Sequence, residues 1–130
     1  LTNKKLSNCT VFDHQNNKEI SMYDMNKFEG HDPYEMFLGG PLSLITIENP
    51  NGFLASTEPV GSSTDKELII FRDSFGSSLA PLFIEGYAKI TLVDIRYIHP
   101  SMLSQFIEFN NQYVLFIYST SVINNSETLK

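Results

Sequence analysis

The spacing of the apolar residues along this chain changes near its middle. After Lys66 the sequence alternates between continuous apolar runs and segments with helical spacing. The runs predict strands at Leu68–Phe71, Lys89–Asp94 and Tyr113–Tyr118. The segments between them predict two helices, one from Ser78 to Glu85 and one from His99 to Asn110. This order of strands and helices, with short links, favours parallel strands joined by right-handed crossovers.

Each predicted helix has its own start signal and apolar face. Ser77 and Ser78 are candidate caps of the first helix, after Gly76 has loosened the backbone. Pro100 suits the first turn of the second helix. The predicted inner faces are Leu79, Leu82 and Phe83 in the first helix, and Met102, Leu103, Phe106 and Ile107 in the second.

The first half of the chain carries weaker patterns. Two short strands around the polar turn His14–Lys18 predict a hairpin, and Leu42–Glu48 predicts one further strand. Loops are predicted at 24–35, with one helical turn at most, and at 53–65. A frayed start is predicted at 1–7 and a disordered tail from Asn124. The expected fold is one three-layer α/β domain with a mainly parallel sheet: hairpin, loops and one strand in 1–65, a βαβαβ core in 66–119 and a tail in 120–130.

Composition narrows the range of partners. The 130 residues include 42% hydrophobic ones and carry a formal net charge of −6, which opposes binding to nucleic acid. No apolar run approaches the roughly 20 residues that span a bilayer, so no membrane contact is expected. Cys9 is the single cysteine, which excludes an internal disulfide and favours a small buried residue.

Ser74 is the central candidate for chemistry. The run Leu68–Phe71 leads into Arg72, Asp73 and Ser74, so the serine lies at a strand end, where open α/β sheets bind ligands. A serine at this point is more often a helix cap than a nucleophile, and Arg72 breaks the G-x-S-x-G pattern. We expect Asp73 to fix the turn through backbone hydrogen bonds rather than to move protons.

Other polar residues offer fewer possibilities. Asp94 and Arg96 are expected to form an ion pair near the sheet edge, with substrate orientation by Arg96 as the alternative. His99 is expected to cap the second helix, although it follows a strand on the same side as Ser74. His31 lacks clustered ligands, so no metal site and no cofactor are expected. Core or rim packing is expected for Tyr87, Tyr97 and Tyr118, with a carbohydrate cleft as the alternative.

Two segments together resemble a known family. The sequence LIIFRDSFGSSLAPLFIEGYAKITLVDIRY at Leu68–Tyr97, with FLGG at Phe37–Gly40, resembles the carboxyl-terminal part of bacterial DHHW family proteins. That family is similar to SGNH hydrolases and to alginate O-acetyltransferase proteins of the cell envelope. The resemblance implies that Ser74 is a nucleophile for acyl transfer. It also implies that N–H groups of Phe75, Gly76, Gly39 and Gly40 are candidate oxyanion donors.

The family's Asp-His-His-Trp motif has no counterpart here, because the chain contains no tryptophan. Asp13-His14 matches only the first two residues of that motif, and it lies in the predicted hairpin turn. We therefore expect an SGNH-like fragment that lacks its acid and base partners and is inactive alone. The resemblance implies an extracytoplasmic esterase or O-acetyltransferase acting on cell-wall or exopolysaccharide carbohydrate. The alternative is a non-catalytic binding or scaffolding module; a nucleotide-binding domain is disfavoured because no glycine-rich phosphate loop is present.

Overall fold

The structure, a computed structural model, describes residues 6, 8–50 and 66–129. Its strands are β1 (Thr10–Asp13), β2 (Lys18–Ile20), β3 (Leu44–Glu48), β4 (Glu67–Arg72), β5 (Lys89–Val93) and β6 (Tyr113–Ile117). Its α-helices are α1 (Ser74–Phe83) and α2 (Thr120–Asn124). Short 3-10 helices occupy Met25–Lys27, Pro33–Met36, Ile84–Gly86, Pro100–Gln105 and Ser126–Thr128. The loop predicted at 53–65 and most of the frayed start predicted at 1–7 lie outside the described residues; Leu6 is buried.

The described strands form one sheet in the order β2-β1-β3-β5-β4-β6. β4 lies between β5 and β6 and is parallel to both, as the alternating pattern predicted. β3 pairs antiparallel with β5, and the β1–β2 hairpin then extends the sheet antiparallel from β3. The α/β class, the parallel core and the hairpin are therefore confirmed. The N-terminal half adds the antiparallel pairs, which make the sheet mixed.

The central strand β4 is buried on both faces, which divides the core into two clusters. Leu68 and Ile70 point to the face covered by α1, where they pack with Ala80 and Ile84. Ile69 and Phe71 point to the opposite face and pack with Leu103 and Ile107. Side chains alternate along a strand, so Arg72 follows Leu68 and Ile70 on the α1 face. This alternation places a cation under the first turn of α1.

The first helix begins earlier than its apolar spacing predicted. Asp73, rather than Ser77 or Ser78, is the N-cap, and its side chain accepts a hydrogen bond from the N–H of Phe75. The small residues of α1 contact the sheet, and these buried positions are Gly76, Ser77, Ala80 and Pro81. Leu79 and Leu82 are exposed instead of buried. The prediction of their inner face was wrong because small residues allow the helix to approach the strands closely.

The second predicted helix is shorter than expected. Pro100–Gln105 forms a 3-10 helix, after which the chain continues irregularly to β6. Leu103 and Ile107 are buried, whereas Met102 and Phe106 are exposed. His99 caps this segment as predicted: its Nδ1 accepts a hydrogen bond from the N–H of Ser101 at 3.2 Å.

Two further segments are more ordered than their composition indicated. The region predicted as a loop at 24–35 contains the 3-10 helix Met25–Lys27 and the start of a second one at Pro33. The tail holds the 3-10 helix Ser126–Thr128 after α2, where disorder was predicted from Asn124. Short Asp-capped turns account for the first case, because Asp24 and Asp32 each accept a hydrogen bond from a backbone N–H two residues later.

Candidate active site

Ser74 is the first residue of α1 and directly follows the residue that caps the helix. Its side chain is exposed, whereas both Arg72 and Asp73 before it are buried. It opens onto a cleft of about 150 Å³. The lining consists of Asp32, Tyr34, Glu35, Gly40, Pro41, Ser74, Ser77, Arg96 and Tyr97. The structure therefore brings together three segments that the sequence singled out separately: the Gly39-Gly40 segment, the Asp73-Ser74 turn and the end of β5.

Asp73 holds the turn under Ser74 in the way that the sequence predicted. One carboxylate oxygen accepts the N–H of Phe75 at 3.0 Å, and the other accepts the N–H of Ser119 at 2.7 Å. Burial alone would raise the pKa of this carboxyl group. The hydrogen bonds from Ser119 and Phe75 outweigh the burial, so the pKa lies below its ordinary value. Asp73 is thus a charged anchor that joins the start of α1 to the end of β6.

The glycine pair adopts a backbone conformation that most residues avoid. Gly39 has φ of 74° and Gly40 has φ of 89°, and the preceding Leu38 also has a positive φ of 52°. Gly40 lines the Ser74 cleft. The N–H of Gly40 donates to the carbonyl of Phe37 at 3.2 Å, so it is already engaged. In this arrangement Gly40 forms part of the cleft wall, and its N–H group is not free to donate to a ligand.

The predicted oxyanion donors near Ser74 are engaged as well. The N–H of Phe75 donates to the Asp73 side chain, and the N–H of Gly76 donates to the Asp73 carbonyl at 3.1 Å. In this arrangement Asp73 therefore accepts the N–H groups of both residues that follow Ser74. The N–H of Ser74 itself, at the first helical position, has no acceptor within the helix. Among the first three N–H groups of α1, the N–H of Ser74 is the one that can donate to a ligand.

A buried ion-pair network connects the cleft to the sheet. Asp94 accepts hydrogen bonds from Arg96 at 2.7 and 2.9 Å, and it lies 3.5 Å from Arg72. The ion pair predicted between Asp94 and Arg96 is thus present, although both residues follow β5 rather than lie within it. Arg72 also donates to the carbonyl of Leu42 at 2.9 Å. Through that bond β4 fixes the chain immediately after the glycine pair.

Burial and the charges of this network change the pKa values of three side chains. Burial lowers the pKa of Arg72, and the Asp94 carboxylate opposes that shift. The hydrogen bonds to Asp94 raise the pKa of Arg96. Burial, together with the nearby carboxylates of Asp94 and Asp73, raises the pKa of Tyr118 to about 12. Two arginines and two aspartates thus lie close together beneath the cleft, with nearly compensated charge.

None of the chain's histidines lines the described Ser74 cleft. His14 lies in the hairpin, where its Nε2 is 3.1 Å from the Thr46 hydroxyl and its ring lines a different pocket. His99 is engaged with Ser101, its Nδ1 lying 2.8 Å from the Ser101 hydroxyl. His31 is exposed in the segment between the first two 3-10 helices. No imidazole of residues 8–50 or 66–129 is therefore placed to accept the proton of Ser74.

Aromatic side chains surround the entrance of the cleft. Tyr97 and Tyr34 are about half exposed and line it, and the Tyr34 ring contacts the Phe75 ring edge-on at 5.7 Å. The Arg96 guanidinium lies 5.3 Å from the centre of the Tyr97 ring. Of the three tyrosines proposed for a carbohydrate cleft, Tyr97 lines this one, whereas Tyr87 contacts Tyr113 elsewhere.

A larger apolar pocket of about 570 Å³ lies beside the Ser74 cleft and shares Tyr34 with it. It is lined by Tyr23, Met25, Phe28, Pro33, Tyr34, Met36 and Phe37. In the described part of the chain, no cluster of three or more histidine, cysteine or acidic side chains could hold a metal ion. The helices described here are all too short or too polar to cross a membrane.

No protein-family model and no curated protein sequence matches this chain. Solved structures do match it. A DHHW family protein from Eubacterium siraeum DSM 15702 superposes with a TM-score of 0.58 and 24% identity, over 92% of this chain and 38% of that one. Bacillus cereus PatB1 superposes with a TM-score of 0.53 and 24% identity, over 88% of this chain and 36% of its own.

A second structure of PatB1, with a sulfonyl adduct, has a TM-score of 0.51 and 21% identity, over 88% of this chain and 38% of that one. The chain therefore spans less than two fifths of each of these neighbours. Identities below 25% establish a shared fold. The resemblance read from the two sequence segments is confirmed at that level, and the α/β architecture is consistent with part of a larger domain.

Sequence reasoning assigned no site role to several residues of the site, and Arg72 and Ser77 are the most informative of them. Arg72 was treated only as the residue that breaks a motif, yet it is fully buried and bonds both Asp94 and Leu42. Ser77 was assigned to a helix cap, yet it is buried within α1 and lines the cleft. A signal for Ser77 was available, because residues three apart lie on one face of a helix and Ser74 starts that helix.

Proposed function

We propose that this chain is the carboxyl-terminal part of an SGNH-like esterase or carbohydrate O-acetyltransferase, with Ser74 as its nucleophile. The observation that carries the proposal is the placement of Ser74. It is exposed at the first position of α1, beyond the carboxyl end of the central parallel strand, and it faces a cleft bounded by Gly40. The shared fold with a DHHW family protein and with PatB1 supports it.

In the proposed reaction the Ser74 oxygen attacks the carbonyl carbon of an acyl ester while a general base removes the hydroxyl proton. The carbonyl oxygen becomes negatively charged and the alcohol then leaves with a proton, which gives an acyl-serine. Transfer of the acyl group to water makes the protein an esterase, and transfer to a sugar hydroxyl makes it an acyltransferase. The N–H of Ser74 and the positive end of the α1 dipole are suited to stabilise the charged oxygen.

The proposal requires a general base, and the most frequent one is histidine. No histidine of the described residues lines the Ser74 cleft, and the chain spans under two fifths of its structural neighbours. We therefore assign the base to a part of the protein beyond residues 1–130. The exposed rings of Tyr34 and Tyr97 at the entrance suit a sugar acceptor, which stacks on aromatic faces. By resemblance alone we place the protein in the cell envelope or outside the cell, which fractionation of cells that express it would test.

The test is hydrolysis of p-nitrophenyl acetate by the full-length polypeptide that contains these residues. We expect Ser74→Ala to lower kcat/KM by at least about 10³-fold. Without the nucleophile, only substrate binding and stabilisation of the charged oxygen still accelerate the reaction. Ser78→Ala is the matched control, since Ser78 lies on the same helix and donates to the Phe75 carbonyl at 2.8 Å instead. Equal rates for wild type and Ser74→Ala would remove Ser74 from the mechanism.

A non-catalytic binding module is the second candidate. The lack of any histidine in the described Ser74 cleft favours it. A fluorophosphonate probe separates the two functions, because it labels only an activated serine. Labelling of Ser74 in the full-length polypeptide but not in residues 1–130 supports a catalytic site completed by another segment. Labelling in neither form supports the binding module.

A further inference from the structure

Ser77 combines burial, closeness to Ser74 and an unused hydroxyl group. Its side chain is 2% exposed, and it lines the same cleft as Ser74. The hydroxyl has no hydrogen-bond partner within the described residues. Two other buried side-chain atoms in those residues share this property, the Arg72 Nε and the Tyr118 hydroxyl. Arg72 directly precedes the Asp73–Ser74 turn, and Tyr118 adjoins Ser119, which bonds Asp73.

Ser77 differs from its neighbour Ser78 in the hydrogen bonds that its side chain makes. A serine within a helix usually donates to a carbonyl one turn earlier, as Ser78 does to Phe75 at 2.8 Å. Ser77 makes no such bond, and the Asp73 carbonyl one turn before it accepts the N–H of Gly76. A buried hydroxyl without a partner is destabilising, so the Ser77 hydroxyl gains if a ligand bonds to it.

The geometry of α1 places Ser77 on the same face of the helix as Ser74. Residues three apart lie on the same face of a helix, with Cβ atoms about 5–6 Å apart. Helical side chains also lean toward the N-terminus, so the Ser77 side chain leans toward Ser74. Both residues line one cleft. A molecule bound against Ser74 in this cleft therefore lies beside Ser77.

The chemistry of the cleft indicates which ligand atom this hydroxyl serves. The acidic lining residues Asp32 and Glu35 accept hydrogen bonds when ionised and cannot donate them. The oxygens of an acyl ester also only accept, so such a ligand needs donors from the protein. Arg96 uses two of its five N–H groups on Asp94, through its Nε and one terminal nitrogen. The Ser77 hydroxyl is a buried donor of the cleft that no protein acceptor uses.

We propose that Ser77 is a substrate-binding residue whose hydroxyl donates a hydrogen bond to an oxygen of the acyl group held at Ser74. The inference rests on the proposed function of Ser74 and adds a specificity element to that site. It predicts a residue that lowers the stability of the free protein and strengthens binding. These two effects are opposite in sign, so a purely structural serine cannot reproduce them.

The first test is urea unfolding of the full-length polypeptide without ligand. We expect Ser77→Ala to have a midpoint equal to or higher than wild type, because it removes a buried polar atom and no hydrogen bond. Ser78→Ala is the control and is expected to have a midpoint equal to or lower than wild type, since it loses the bond to Phe75. A clear drop in the midpoint of Ser77→Ala would mean that the hydroxyl serves the fold, and would overturn the inference.

The second test is labelling by phenylmethanesulfonyl fluoride, followed by mass spectrometry of the Ser74 peptide. The Ser74 oxygen forms a bond to sulfur, fluoride leaves and the hydroxyl proton is released, which gives a sulfonyl ester and HF. The sulfonyl oxygens accept hydrogen bonds as an ester carbonyl does. For Ser77→Ala we expect the inhibition constant of the encounter complex to rise about 2- to 12-fold, as for one neutral hydrogen bond, with an unchanged maximal labelling rate.

The outcomes of this test separate the two proposals. If Ser74 is labelled and Ser77→Ala matches wild type, the role of Ser77 is refuted while Ser74 remains the nucleophile. If wild type is not labelled at Ser74, the proposed function fails and takes the binding role of Ser77 with it. If Ser78→Ala weakens binding as much as Ser77→Ala, the effect belongs to the helix as a whole and the specific inference fails.

Discussion

Gly76 lies directly against the side chain of Arg72. A Cβ atom on Gly76 would overlap the Arg72 Cβ more closely than two carbon atoms tolerate, and would also come within 3.1 Å of its Cγ. The glycine therefore allows the first turn of α1 to lie on the end of β4. The position of Ser74, two residues earlier, depends on that close contact.

We predict that Gly76→Ala destabilises the protein by about 1–3 kcal/mol, the usual cost of overpacking, despite the better helix propensity of alanine. Gly86→Ala is the control. No atom lies within 4 Å of a Cβ built there, so this variant should be neutral or stabilising by up to about 1 kcal/mol. Urea unfolding measures both. Equal stability of the two variants would show that the contact with Arg72 relaxes easily.

The two arginines that share Asp94 should differ in their contribution to stability. Arg72 is fully buried and also bonds the Leu42 carbonyl, whereas the side chain of Arg96 is 21% exposed. We expect Arg72→Ala to lower the free energy of unfolding by about 3–5 kcal/mol, the range for breaking a buried ion pair. Arg96→Ala should cost less, because water can reach the vacated position. Chemical denaturation of both variants tests the order, and the reverse order would contradict it.

Asp73 should make stability depend on pH in the acid range. Its pKa is lowered in the folded protein, so the stabilisation is complete above the unfolded value of 3.8 and is lost as pH falls through the folded value. Asp73→Ala should cost about 1–2 kcal/mol at neutral pH through loss of the cap. Asp73→Asn retains a capping oxygen and should cost less while flattening the acid dependence. Unfolding curves between pH 2 and 7 provide the measurement; an unchanged acid dependence in Asp73→Asn would contradict the assignment.

Tyr118 gives the complementary test in the alkaline range. Its pKa is raised to about 12, so the unfolded state loses the phenol proton first and stability should fall as pH rises above 10. Its hydroxyl is buried without a partner among the described residues. We therefore expect Tyr118→Phe to be at least as stable as wild type at neutral pH. Its ultraviolet titration should lack one late phenol transition, and loss of a transition near pH 10 instead would refute the assignment.

The sequence predicted the central part of the site because its signals there are local. A continuous apolar run identifies β4, and the residues after it had to form a turn at the carboxyl end of a parallel strand. The backbone hydrogen bonds of Asp73 were predicted and are confirmed, although the sequence assigned the helix cap to other residues. The start of α1 was placed too late because Ser77 and Ser78 resemble caps as much as Asp73 does.

The remaining features depend on contacts that no local pattern encodes. The antiparallel pairing of β3 with β5 is a tertiary choice, since the segment Leu44–Glu48 would look the same in either direction. The N–H groups of Phe75 and Gly76 looked available as donors, but Asp73 accepts both. The burial of Ser77 follows from how closely α1 approaches the sheet, which depends on Gly76 and Ala80 together.

The outer strand β6 forms an edge of the sheet that exposes apolar side chains. Tyr113, Val114 and Phe116 are all about half exposed or more, and β4 is the only one of the described strands that pairs with β6. Unpaired backbone groups and apolar side chains on an outer strand promote self-association. Residues 1–130 expressed alone should therefore have low solubility and form aggregates as concentration rises, and a charged substitution at Phe116 should reduce that tendency.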